Sequence, residues 1–503
     1  GNFTTPAWGA PKEVWAEVFG EGSQASISPE SLVDHELLYV SLIQGIATDV
    51  EFASPWAGKD ISQLSWVQLP GTNPSLILVH PEITPRQLTY DAATNTWTLT
   101  TPVFTSPPVD WVAGKQPSVV GIHDGRLVLA NNTTRPERLW LSKVNDYFNF
   151  TTGSGAADSF SFDMNEAGKV LWLTSLNTLV VGAASGVWDF VSLNGAPIGP
   201  GNVRGRKHDS NAPTSNRFHK DDDGLSYIGP SGGRVHYLNP EKTSDTRYQI
   251  AEQSFLGRHL LSSAVSNISG IKYPHSISFL PQANSFVSTS RDKLLEYASW
   301  HRHICQGSVH DIVSVQGQNH ETFALISFTR TSGTVICLVK LDWEYPLDNN
   351  KVVAQVSSTT VSGLTHLEGQ PVYVWANGKS LGPYTVSSGS ITLSEATTLA
   401  VVGLVFSSRM VTNRLSRGDM PQSGLKRWNK PTVRVGVGQR PKIFGFRPAN
   451  ALPGNPDLPY DGTEDLEVTH AGWNRFGYVE IEEDSAAPLT ICAIHGQVAS
   501  ENV

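Results

Sequence analysis

Leu127-Val128-Leu129-Ala130, followed across a polar turn by Arg138-Leu139-Trp140-Leu141, is an apolar strand, a break and a second strand carrying a bulky aromatic. Short apolar runs bounded by turn residues read as strands. The unit recurs. Upstream it is Leu76-Ile77-Leu78-Val79 with Gln87–Tyr90 and Trp97; downstream it is Leu179-Val180-Val181 with Val187-Trp188-Asp189-Phe190, then Leu225-Ser226-Tyr227-Ile228 with Arg234–Leu238. Two further copies are Phe286-Val287-Ser288 with Lys293–Tyr297 and Trp300, and Phe323-Ala324-Leu325-Ile326 with Thr334–Leu341 and Trp343. Their starts lie 51, 52, 46, 61 and 37 residues apart, about 49 on average. Four-stranded propeller blades repeat at roughly 40 to 50 residues. Six units therefore predict an all-β chain built on a six-bladed β-propeller, with small added β domains. A pair of β-sandwiches also gives strands at short intervals, but the sustained period favours the propeller.

Beyond the repeats lies Gly363–Met410, which alternates cleanly. Val372, Val374 and Ala376 fall on one face, Asn377-Gly378 makes a tight turn, and Ile391 and Leu393 resume the pattern, with a second strand pair around Leu399–Phe406. Asn-Gly between alternating apolar residues is a strong hairpin signal. The expected domains are an arm or platform over 1–62, the propeller over 63–345, a small β module over 346–410, and a basic linker or loop with a C-terminal β segment over 411–503. In the arm, Ser28-Pro29 suits a helix start, whereas Leu37–Ile46 reads equally as helix or strand. Val203–Lys220 reads as a polar, solvated insertion within the repeats.

Composition bounds the class. The 503 residues carry 17% charged residues, 44 Gly and 31 Pro, a balance that suits a loop-rich β protein. Cys305, Cys337 and Cys492 are too few and scattered for a disulfide framework or a zinc site, and read as reduced, buried thiols. No apolar run approaches the roughly 18 residues of a membrane-spanning helix, so a soluble chain made in a reducing compartment is expected. Gly1 stands where an initiator Met is usual, so the amino end reads as processed or incomplete.

Motifs that carry chemistry are weak. Gly229-Pro230-Ser231-Gly232-Gly233 matches a nucleophile elbow in letters, but the strand-like Arg234–Leu238 follows where that motif needs a helix. His301 and His303 share a strand face near Cys305, without a declared third and fourth ligand. Asp221-Asp222-Asp223-Gly224 lacks the alternating ligands and closing Glu of a calcium loop. No catalytic residue, metal ligand or cofactor is assigned.

The charge distribution is uneven. Arg409–Arg447 holds ten basic residues, Arg409, Arg414, Arg417, Lys426, Arg427, Lys430, Arg434, Arg440, Lys442 and Arg447, against one acid, Asp419. That is +9 in a chain whose total is −9, leaving −18 elsewhere. Such a tract reads as a subunit interface with acidic neighbours, as phosphate contacts to DNA, or as a plain solvated loop. The acidic remainder favours the interface.

Several stretches, in order, resemble one family. They are Ser54-Pro55-Trp56-Ala57, Leu64–Gln68, Leu78-Val79-His80-Pro81, Pro85–Leu88, Arg138-Leu139-Trp140-Leu141-Ser142 and Asp146-Tyr147-Phe148-Asn149-Phe150. The order continues with Gly232-Gly233-Arg234-Val235, Trp300-His301-Arg302-His303 and Gly363–Gly378, and more loosely with Pro488–Ile494. This series resembles the tail nozzle proteins (tail tubular protein B) of short-tailed, double-stranded DNA bacteriophages. It covers about 54–410 and loosely 465–495; residues 1–53 and the basic tract lie outside it. The resemblance implies a non-enzymatic virion protein assembled in the bacterial cytoplasm into the tail. It would form a homohexameric ring below a tail adaptor, with a needle or plug and tail fibres or tailspikes as further partners. It would retain packaged DNA, contact it transiently and conduct it on ejection. Two rivals remain open: a tail propeller that binds or cleaves host glycans, and a scaffold propeller outside any phage.

Overall fold

The structure, a computed structural model, describes residues 37–41, 49–71, 75–412 and 425–500, apart from short stretches within them, of which 241–247, 292–297, 316–320, 342–346 and 449–463 are the longest. Six antiparallel sheets follow one another, and each takes its strands in chain order. Blade 1 comprises Ser65–Leu69, Ser75–His80, Ile83–Asp91 and Thr96–Thr100; blade 2 comprises Val119–His123, Arg126–Ala130, Arg138–Leu141 and Phe160–Asp163. Blade 3 is Val170–Ser175, Leu179–Ala183, Gly186–Val191 and Arg204–Asp209; blade 4 is Phe218–Lys220, Leu225–Ile228, Val235–Pro240 and Tyr248–Glu252. Blade 5 is Ser269–Ile271, Ser276–Gln282, Ser285–Arg291 and Ala298–Ile304; blade 6 has three described strands, Ser308–Val315, Glu321–Arg330 and Gly333–Lys340. The chain is a six-bladed β-propeller with added β domains.

Burial follows the position of a strand in its blade. Every residue of Arg126–Ala130, Leu179–Ala183 and Leu225–Ile228 is buried, because the second strand is covered on both faces by neighbouring blades. Outer strands such as Arg204–Asp209 and Ala298–Ile304 have no fully buried residue and are accordingly more polar. Successive blades share apolar clusters: Ile77 and Val79 with Leu127 and Leu129, Val128 and Leu141 with Leu173 and Val181, Trp172 and Val180 with Tyr227 and Leu238. Ile228 and Val235 then meet Leu280 and Val287, and Phe279 meets Ile312 and Ala324. On the remaining face of blade 1, Leu78 and Leu88 pack with Trp56, and no residue of blade 6 joins them among the described residues.

The unequal repeat spacing has a simple origin. Phe286-Val287-Ser288 is the third strand of blade 5, whereas the matching strands elsewhere are second strands. With Ser276 as the start in blade 5, Leu225, Ser276 and Glu321 fall 51 and 45 residues apart. Val203–Lys220 is not a solvated insertion. Arg204–Asp209 closes blade 3 and Phe218–Lys220 opens blade 4, because the basic residues meet carboxylates and carbonyls inside the fold.

After the propeller, Asp348–Ser362, Pro371–Ala376, Lys379–Thr385 and Ser390–Leu404 form one sheet in which the first strand lies beside the last. Leu399–Leu404 is not a separate strand: Ser390–Leu404 runs through it, pairing with Asp348–Ser362 and, at its far end, with Pro371–Ala376. The C-terminal portion holds two three-stranded sheets. One orders Ser408–Val411, Glu480–Glu483 and Lys442–Ile443; the other orders Glu464–Glu467, Lys426–Val435 and Ile491–Ser500. Val433, Val435, Ile443, Leu466, Val479 and Ile481 fill the space between them. Leu347, Val401 and Ala486 join this portion to the module. Of the amino-terminal 62 residues, Leu37–Ser41 is a strand paired with Asp49–Ala53, while Ser28 and Pro29 lie outside the described residues.

Candidate functional site

Each blade places its first strand at the hub, and the six first strands enclose a channel of about 510 Å3. Its charged lining comes from two strands. Arg217 and Lys220 belong to the start of blade 4, and Asp311 belongs to the first strand of blade 6. Arg217, His219 and the strand between them alternate, so these two side chains leave the backbone on one side.

Arg217 reaches across the hub to blade 1. Its guanidinium carbon sits 3.9 Å from the centroid of the Trp66 ring, a stacking geometry that suits a planar cation. Beside it, the Asn216 side-chain amide donates to the Ser62 carbonyl at 2.6 Å. Burial lowers the pKa of Arg217, and the charge of Asp311 opposes that shift. Burial likewise raises Asp311, against the pull of Arg217 and a hydrogen bond from the Ile312 backbone. The Asn267 amide donates to the Asp311 carboxylate. Lys220 Nζ donates to the Ser175 carbonyl of blade 3 at 2.5 Å. His219 is 4% exposed, and its Nε2 has no hydrogen-bond partner. Burial pushes it down to about 4, with Asp221 opposing and Lys272 adding to the shift, so the ring is neutral at pH 7.

The basic tract is distributed over the two C-terminal sheets. Arg409 Nε donates to Glu480 Oε1 at 2.5 Å, Lys442 pairs with Asp484, and Arg447 lies 3.3 Å from Glu483 and 3.1 Å from Asp484. Hydrogen bonding to Lys442 holds Asp484 below its usual range, against burial. Lys426 is buried, and its Nζ donates to the Arg475 carbonyl at 3.3 Å. Arg427 and Arg434 are exposed on Lys426–Val435, and the half-buried Arg440 accepts from Arg447 through its carbonyl. Arg414, Arg417 and the side chain of Lys430 lie outside the described residues. The acidic strand Glu480–Glu483 thus gathers Arg409, Lys442 and Arg447, while Arg427 and Arg434 stand on the other sheet.

The weak motifs resolve as follows. Ser231 lies outside the described residues, and the flanking strands Leu225–Ile228 and Val235–Pro240 pair as a hairpin, with no helix after the turn. His303 bonds Ser288 through Nε2 at 2.8 Å and stacks on Phe286, whereas His301 is exposed. Asp221 accepts from the Gly224 backbone at 2.6 Å and from the Tyr237 hydroxyl, closing a turn; Asp222 and Asp223 lie outside the described residues. Cys305 is half-buried, and burial pushes its thiol up to about 12. Cys492 is exposed, not buried, because Ile491–Ser500 is an edge strand that meets the core through the half-buried Ile491 and Ile494. Among the described residues no group of three or more His, Cys, Asp or Glu side chains is placed to hold a metal, and no helix is long and apolar enough to cross a membrane.

The hub was missed in the sequence because its members are distant: Ser62 and Asn216 are 154 residues apart. The available signal was the alternation Arg217-Phe218-His219, a strand pattern hidden in a stretch that reads as polar.

No family model matches the chain, and no curated protein matches it. Two solved structures are similar in part. One is a protein from Lactobacillus plantarum, 12% identical over 63% of this chain and 94% of that one, with a TM-score of 0.33. The other is described as YCF48 bound to D1 peptide, 11% identical over 67% of this chain and 95% of that one, also with a TM-score of 0.33. Neither likeness bears on activity or partners.

Proposed function

We propose that the chain is a tail nozzle subunit of a short-tailed, double-stranded DNA bacteriophage. One observation carries this reading: the ordered series of nozzle-like motifs from Ser54 to Gly378. The positions of those motifs support a structural role. Trp56 packs on blade 1, Phe148 and Phe150 fill the contact between blades 1 and 2, and Val372, Val374 and Ala376 form the core of the module.

The DNA path lies between copies rather than through a single propeller. A hub of about 510 Å3 crossed by Arg217 and Trp66 accommodates a small molecule, not a duplex. Six copies around an axis would supply the conduit. The chain's net charge of −9 lowers attraction along such a wall. Arg409, Lys442 and Arg447 are paired with carboxylates of their own chain, which leaves them little charge for a DNA grip.

Imaging of the virion that carries this chain tests the proposal. The expected density is six propellers about the tail axis below the adaptor. Copies away from that axis, together with hydrolysis of host polysaccharide by the purified chain, would overturn it in favour of the glycan reading.

A further inference from the structure

We infer that the hub of the propeller is a binding site for a small monocarboxylate, independently of any ring the chain forms. Three features converge there. The first is Arg217. Its face is taken by Trp66, which leaves the N–H edge of a planar guanidinium for two-point bonding to a carboxylate. Among the described residues no carboxylate lies within ion-pair distance of it; Asp311 acts on it from further away.

The second is His219. This ring is more than nine-tenths buried, lines the same cavity, and leaves Nε2 unpartnered. A buried polar atom without a partner is costly, so its persistence points to a ligand that satisfies it. The ring is held in place by close packing: a Cβ on Gly270, in the first strand of blade 5, would lie 2.7 Å from two of its atoms. A neutral imidazole offers one N–H donor to an anion.

The third is charge and shape. Arg217 and Lys220 supply two positive charges and Asp311 one negative, which leaves a single positive charge for a ligand to balance. A dianion would face Asp311 at close quarters. The apolar side chains of Trp66, Phe218 and Ile312 line the remainder of the cavity and suit an apolar body on the carboxylate. A volume of about 510 Å3 lies within the range of small-molecule sites.

Titration of 4-fluorobenzoate with the full chain, followed by fluorine NMR, tests this. Saturable broadening is expected with the carboxylate and none with 4-fluorobenzyl alcohol. Arg217→Gln should weaken binding at least about tenfold, the loss of one charged hydrogen-bonding partner. Asp311→Asn should tighten it, which keeps a gain of signal available if Arg217→Gln disturbs folding. Absence of saturable broadening, equal binding of the alcohol, or unchanged affinity in both variants would overturn the inference.

Discussion

At the scale of single residues, the largest polar investment is Arg126. It is fully buried, and its guanidinium donates to the carbonyls of Ser142 at 2.6 Å, Asp158 at 2.8 Å and Ala156 at 2.5 Å. Those carbonyls belong to the connection between the third and fourth strands of blade 2, so one side chain fixes a long excursion. Arg126→Met keeps much of the volume but orphans three acceptors. A loss of about 3 kcal/mol is expected, read as a lower urea midpoint by tryptophan fluorescence, with Arg126→Lys intermediate. A midpoint unchanged in Arg126→Met would show that water replaces the guanidinium. Protonation gives a second prediction. His219 and His303 are both pushed down to about 4, in each case first by burial. Between their ordinary value of 6.5 and about 4 the unfolded chain binds protons that the native chain refuses. Stability therefore falls on acidification through that window, by about 1.4 kcal/mol per pH unit for each ring. Unfolding free energies measured from pH 7.5 to 5 should show this slope, and His219→Gln should remove its share. Nothing in sequence marks the burial of these two rings, because a histidine's burial depends on strands from other blades.

At the scale of elements, the hairpin of the module was legible and its context was not. Asn377 and Gly378 both have positive φ, 52° and 72°, as a two-residue turn requires. Asn377 does more than turn the chain. Its amide donates to the Ala396 carbonyl at 3.1 Å and accepts from Thr397 Oγ1 at 3.0 Å, so it ties the hairpin to the irregular middle of Ser390–Leu404. Gly378→Ala should cost about 1 kcal/mol through the left-handed backbone alone. Asn377→Gly should keep the turn yet lose the tie. A double substitution should then exceed the glycine effect, as measured by thermal unfolding of the full chain; a silent Asn377→Gly would confine its role to the turn. The basic tract teaches the complementary lesson. Its excess of charge was plain in sequence, but Arg409 meets Glu480 across 71 residues, so local counting could not show the neutralisation. The strands of the hub failed for the same reason: Phe218–Lys220 is three residues long and carries one apolar residue, and only its neighbours make it a strand.

At the scale of the whole molecule, periodicity revealed the blades because each repeats a local unit, whereas closure of the ring is a single, long-range event with no repeat. Each described blade is built from consecutive strands, so among the described residues no strand from one end of the chain completes a blade at the other. Apolar clusters join blades 1 through 6 in succession, yet none joins blade 6 to blade 1 among the described residues. Blade 1 is instead held across the hub, by Trp66 on Arg217 and Ser62 on Asn216. A ring sealed at five contacts and clasped through its centre should open first at blade 1, since local opening follows the weakest set of contacts. Ile77 and Val79 in blade 1 are as fully buried as Leu127 and Leu129 in blade 2, so burial alone predicts equal protection. Native-state hydrogen exchange should nevertheless find the blade 1 amides faster by about tenfold. Trp66→Ala, which removes the stacked half of the clasp without touching those amides, should widen the gap. Equal exchange in the two blades, unmoved by Trp66→Ala, would mean that the ring is sealed between blades 6 and 1 by residues other than those at the hub.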